Sequence, residues 1–216
     1  MRDDVTVPPL PRQTTAENER VASRLSGQCI VLVRYYLLWI TEYQQPWEWD
    51  FGVWHQPTMG VELVTDANET FSAAWSQYDE WGFGVDLYHV PISMYLLPEA
   101  ADSWVDASEH PAWSPIVGRP IQVSFIWNDF GTGRPPCPEA VKIASDTAAA
   151  WIIAAGWERR ESRLSIQLGM DDLMVIFDEK FTETLGLFDV NRGREQPDGL
   201  REDGRPGRPH LPRRVQ

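Results

Sequence analysis

From Gly27 onward, apolar residues fall at every second position in run after run. Trp81, Phe83, Val85 and Leu87 alternate with Gly82, Gly84, Asp86 and Tyr88. Ile121, Val123, Phe125 and Trp127 alternate with Gln122, Ser124, Ile126 and Asn128, and Leu164, Ile166 and Leu168 with Arg163, Ser165 and Gln167. A period of two sends successive side chains to opposite faces of a strand, so each run offers one face to a core. A lone sheet would leave a face and two edges uncovered, which calls for a second layer or for closure. The pattern therefore predicts a mainly β (α+β) fold, an antiparallel β-sandwich or barrel with one or two short helices.

The remaining segments fit this frame. Residues 28–40 are apolar on both faces apart from Arg34 and read as a long central strand. Residues 51–55 and 61–65 read as shorter strands, Asp66-Ala67-Asn68-Glu69 as a turn, and 70–75 as its return strand. Leu173 to Phe177 is a further short apolar strand. Thr14 and Glu17 have the spacing of a capping box, which starts a helix over 16–25, and Pro98 suits the first turn of another over 98–107.

The two halves resemble one another. Val61-Glu62-Leu63-Val64-Thr65-Asp66 matches Val141-Lys142-Ile143-Ala144-Ser145-Asp146 at an offset of 80, which sets Phe71 opposite Trp151 and Ala74 opposite Ala154. Gly27-Gln28-Cys29-Ile30 and Gly118-Arg119-Pro120-Ile121 open the two segments, and Trp39 to Thr58 is an insertion in the first. Residues 27–97 and 118–178 are thus candidate half-repeats, two duplicated β meanders about a pseudo-two-fold axis, inside one β-rich domain over 14–190. Residues 1–13, with Val7-Pro8-Pro9-Leu10-Pro11, read as a disordered arm. Residues 191–216 are rich in Arg, Pro and Gly and almost without apolar side chains, and read as a disordered tail.

Charge narrows the partners. Residues 26–190 carry 24 Asp+Glu against 8 Lys+Arg, a net of −16 that is more acidic than the −13 of the whole chain. Such a surface repels nucleic acid and attracts basic partners. No apolar run approaches the roughly 18 residues of a membrane span, and Met1 to Arg12 lacks the apolar region of a secretory signal. The expectation is a cytoplasmic protein with no nucleic-acid or membrane partner. Cys29, in an apolar run, is expected to be a buried thiol, and Cys137, between Pro136 and Pro138, a loop thiol, with no disulfide between them.

Chemical motifs are missing. The chain has no phosphate loop, dinucleotide fingerprint, H-E-x-x-H, paired C-x-x-C or G-x-S-x-G. His55 and His89 each close a strand, and a metal centre built on them needs a third ligand from Asp50, Asp86 or Glu62. Histidines at strand ends more often cap or face solvent, so no metal and no cofactor is expected, and catalysis is the minority reading.

What stands out is acid interleaved with aromatics in two loops: Trp47, Glu48, Trp49 and Asp50 in one, and Tyr78, Asp79, Glu80 and Trp81 in the other. Aromatic rings with polar tips favour interfaces, and the neighbouring carboxylates attract Arg and Lys. These eight residues are the expected partner-binding surface. The reading is an acidic protein-binding module for a basic protein partner. Its specific version is an immunity-type inhibitor of a toxin, because small acidic β-rich proteins without catalytic motifs are common among immunity proteins. The alternative is a β-barrel that binds a small-molecule or glycan ligand, with or without catalysis.

Overall fold

The computed structural model describes residues 10–37, 39–40, 45–46, 48–78, 82–128, 136–160 and 163–187. Helix α1 (Thr15–Leu25) begins with the capping box, the Glu17 N–H donating to Thr14 Oγ1 at 3.2 Å and the Thr14 N–H to Glu17 Oε2 at 2.8 Å. The strands are β1 (Ile30–Tyr36), β2 (Trp39–Ile40), β3 (Gln45–Pro46), β4 (Trp54–His55), β5 (Gly60–Thr65), β6 (Thr70–Gln77), β7 (Phe83–Tyr88), β8 (Trp104–Asp106), β9 (Gln122–Asn128), β10 (Cys137–Ala144), β11 (Ala149–Arg160) and β12 (Arg163–Ile176). Short helices α2 (Pro98–Ala101) and α3 (Glu179–Thr184) complete the described elements, with a 3-10 turn at Ile92–Tyr95.

Two five-stranded antiparallel sheets form a sandwich-like fold. Their orders are β7-β6-β5-β1-β8 and β4-β12-β11-β10-β9. Neither sheet closes on itself, so of the two expected architectures the barrel is not the one formed. Within each sheet four strands run as a meander, β1-β5-β6-β7 and β9-β10-β11-β12, and one short strand is added at an edge. Strands β6 and β7 pack on β10, β11 and β12, and α1 covers one end across β7 and β9. The shared core holds Val33, Tyr35, Leu63, Phe71, Val85 and Leu87 from the first sheet and Val141, Ile143, Ile152, Leu173 and Val175 from the second.

The two segments meet where they begin. Cys29 bridges Pro120, the Gly27 N–H donates to the Ile121 carbonyl at 2.7 Å, and the Gly118 N–H donates to the Ile30 carbonyl at 2.8 Å. Gly27 and Gly118 both have positive φ, 87° and 77°, which a side chain resists. Both segments therefore use glycine for the same turn into the same crossing.

Several expectations change on contact with tertiary structure. The hairpin of Val64 with Thr70 has its counterpart in Ala144 with Ala149, so the second turn is one residue shorter. A one-residue slip reverses the faces. Phe71 points into the shared core, whereas Trp151 points to the outer cluster with Trp54, Met174 and Ile176, and Ala150 takes the inward place. The helix over 98–107 stops at Ala101, because Trp104–Asp106 pairs instead with the open edge of β1. The strands at 164–168 and 173–177 are one strand, β12, interrupted where Ala154 faces Leu173 and Ala155 faces Leu168, with Gly169 at φ 73°. Cys137 is buried at the start of β10, not in a loop, and Cys29 is only half-buried.

The two sheets approach closely at Gly84. A Cβ there would lie 2.6 Å from Cys137 Sγ and 2.7 Å from the Pro138 carbonyl oxygen, closer than real contacts allow. Gly84→Ala is expected to destabilise the fold by about 1–3 kcal/mol through this overpacking. Urea unfolding of the variant against wild type checks it, and an unchanged midpoint would show that the sheets separate there freely.

Candidate functional site

The insertion after β1 turns back on itself through a tight loop. The Phe51 N–H donates to the Trp54 carbonyl at 3.0 Å, the Gln56 N–H to the Trp49 carbonyl at 2.7 Å, and Gly52 adopts φ 76°. This turn brings Asp50 opposite His55. The segment joining the two meanders supplies His110, whose carbonyl accepts from the Trp113 N–H at 2.9 Å in a run of turns. Asp50, His55 and His110 then converge, each offering one donor atom within 4.8 Å of the others.

Buried and half-buried aromatic rings hold these side chains. Trp113 Nε1 donates to Tyr35 Oη at 2.5 Å, and Tyr35 Oη bonds His55 Nδ1 at 2.8 Å. His55 is also met edge-on by Trp49, with centroids 5.0 Å apart, and by Phe177 at 4.9 Å, and the two imidazoles stand 4.3 Å apart. His110 Nε2 lies 3.2 Å from Asp50 Oδ2, and its Nδ1 accepts from the Ala112 N–H at 3.2 Å. The second ring nitrogen of His55, Nε2, is buried and finds no hydrogen-bond partner among the described residues; the nearest acid, Asp50 Oδ1, is 3.9 Å away.

Charge at the cluster is set by burial on one side and by donors on the other. Burial, aided by the neighbouring His110, lowers His55 to about 4 against the pull of Asp50, so the ring is neutral at pH 7. The Gly52 N–H, 2.8 Å from Asp50 Oδ1, holds that carboxyl below its usual range, with His110 adding to the effect. Burial pushes the Tyr35 hydroxyl well above its ordinary value, so it acts as a neutral bridge. The Asp50 side chain is 43% exposed and that of His55 1%, so the cluster runs from solvent to core.

The structure distributes the expected partner-binding residues unevenly. Glu48 and Asp50 are exposed, and Trp49 between them is half-buried, its ring against Tyr35, His55 and His110. Tyr78 is held inward. Its hydroxyl donates to Asp86 Oδ1 at 2.5 Å, and the Arg12 guanidinium covers its ring at 3.9 Å. Trp47, Asp79, Glu80 and Trp81 lie outside the described residues. His55 does not meet His89, which sits 3.5 Å from Glu69. Asp86 and Glu62 are buried elsewhere. Asp86 accepts from Asn18 Nδ2 at 2.7 Å and the Gln13 N–H at 2.9 Å, and Glu62 accepts from Arg34 at 2.6 Å. Sequence reasoning missed His110, Tyr35, Trp113 and Phe177. His110 bonds Asp50 from 60 residues away, and no local pattern announces that contact.

A second polar system lies beyond His55. Asp172 accepts from Gln56 Nε2, and from the Leu173 N–H at 2.9 Å, while Trp157 Nε1 donates to Gln56 Oε1. Burial, with Asp171 adding to it, raises Asp172 to about 6. No family model, curated protein or solved structure matches the chain.

Two outcomes follow from this geometry. Tyr35→Phe strips the acceptor from Trp113 and the partner from His55 Nδ1 while keeping the ring, and is expected to cost about 2 kcal/mol of stability. Chemical denaturation measures it, and a neutral result would mean the hydroxyl bridges nothing. For Asp172, ionisation begins near 3.8 in the unfolded chain and near 6 in the folded one, so the fold loses stability as pH rises between those values. Asp172→Asn removes the titrating group but keeps only one of its two accepting oxygens, so whatever its offset from wild type at pH 3.5, the difference should move in the variant's favour by about 1–2 kcal/mol on going to pH 7. Denaturation at both pH values tests the sign.

Proposed function

We propose that this chain is an acidic protein-binding module that holds a basic protein partner, and that its specific role is immunity-type inhibition of a toxin in the cytoplasm. One observation carries the reading. Glu48 and Asp50 are exposed on either side of Trp49, whose ring is fixed by Tyr35, His55 and His110. A loop anchored in this way loses little entropy on binding, so its carboxylates can meet a guanidinium or ammonium at low cost. Glu109, one residue before His110, is also exposed. The net of −16 over residues 26–190 adds long-range attraction for a basic surface.

The test is an affinity measurement with the full chain. A stoichiometric basic partner, captured from the native host and purified, is titrated against wild type, Glu48→Gln and Glu48→Gln/Asp50→Asn. The double variant is expected to lose about 1–3 kcal/mol of binding, and affinity should fall steeply with salt. Unchanged affinity in the double variant, or binding insensitive to salt, would overturn the assignment of this surface.

A further inference from the structure

We propose that Asp50, His55 and His110 form a binding site for a divalent transition ion of the zinc class, ligated by one carboxylate oxygen and the two imidazole Nε2 atoms. The three side chains come from the insertion, from β4 and from the segment between the two meanders, and their donor atoms lie within 4.8 Å of one another. Bonds of about 2.0–2.1 Å in a tetrahedral site set neighbouring donors roughly 3.3–3.4 Å apart. His110 Nε2 and Asp50 Oδ2 already stand at 3.2 Å. His55 Nε2 stands 3.9 Å from the other oxygen of the same carboxylate, Asp50 Oδ1, so both imidazoles face Asp50 across the cluster.

A plain structural hydrogen bond accounts for Asp50 with His110 but leaves His55 unexplained. Its Nε2 is buried, aimed at the cluster and without a hydrogen-bond partner among the described residues. A buried polar atom without a partner is destabilising, and a cation at the cluster would supply that partner. His55 Nδ1 is meanwhile held by Tyr35 Oη at 2.8 Å, the outer support that orients a ligating imidazole. Two imidazoles and one carboxylate suit a first-row divalent ion better than calcium or magnesium, which prefer all-oxygen sites. The solvent side of Asp50 leaves a fourth position for water, the arrangement of an open zinc site. This inference does not rest on the partner reading.

Binding has a local signature. The Ala112 N–H donates to His110 Nδ1, so in the metal-free ring the proton sits on Nε2, toward Asp50. Ligation through Nε2 moves that proton to Nδ1 and breaks the Ala112 contact. The full chain, stripped with chelator, is titrated with Zn²⁺ by calorimetry, and the Ala112 amide is followed by NMR. One ion per chain and a shifted Ala112 resonance are expected. Asp50→Asn and His110→Gln, both partly exposed and so tolerated by the fold, should each weaken binding at least roughly tenfold. Glu48→Gln should leave metal affinity unchanged while weakening any basic partner, which separates the two readings. No saturable binding, or wild-type affinity in both Asp50→Asn and His110→Gln, would overturn the site.

Discussion

The crossing of Cys29 with Pro120 is the constraint on which the two sheets depend. β1 follows Cys29 and β9 follows Pro120, and each lies second from an edge or at the edge of its own sheet. The paired hydrogen bonds from Gly27 and Gly118 fix the distance and direction between those two starts. Both glycines adopt φ values that a β-carbon would strain, so the chain can leave the crossing toward both sheets without opening it. Once the starts are fixed, the successive antiparallel hairpins of each meander have one side on which to bury their apolar faces. The far strands then meet, β7 on β10, where Gly84 lets the backbones approach.

Tyr35 carries this frame to the candidate site. It stands on the inward face of β1, fully buried, and belongs to the shared core. Its hydroxyl is nonetheless the hinge of a polar chain from Trp113 to His55. A buried hydroxyl with two partners is stable where an orphaned one is costly, so Trp113 and His55 are as much conditions for Tyr35 as results of it. The outer face of the first sheet solves the same problem differently. Asp86 and Glu62 are fully buried there, and each is surrounded by donors, Asp86 by Asn18, Tyr78 and the Gln13 amide and Glu62 by Arg34 and Tyr36. The Asp86 contacts tie α1 and the preceding residues to β7, and the Glu62 contacts tie β5 to β1, a structural use of acids that part of the net negative charge serves.

How far the sequence reveals this structure depends on the range of the interaction. The capping box at Thr14, the hairpin turn at Asp66 to Glu69 and the alternation through β7 and β9 are local, and period and turn chemistry express them directly. β8 is three residues long and exists because β1 has an open edge, which no window around Trp104 contains. The one-residue difference between the two hairpin turns is invisible to a comparison by offset, yet it decides that Trp151 faces outward and Ala150 inward. At the candidate site, Glu48, Trp49 and Asp50 could be singled out by composition. His110 could not, because its meaning comes from Asp50 and His55, which only the folded chain brings beside it.

The site also has a particular relation to the recurring topology. The four-strand order is the same in both sheets, but none of the converging polar groups belongs to a strand position that both sheets share. Asp50 and His55 come from the insertion between β1 and β5, and His110 and Trp113 from the connection between the two meanders. Phe177 comes from the chain just past the end of β12. Only Tyr35 lies in a common strand, and it supports without being exposed. Strand positions in such a sandwich are committed to pairing and to core burial, which leaves little freedom for side chains that must face both a ligand and each other. Segments outside the common order are free of that commitment, and here three of them end beside one another over the inward face of β1. Departure from the shared topology is thus what creates the cluster, and the shared topology is what holds the departures in place.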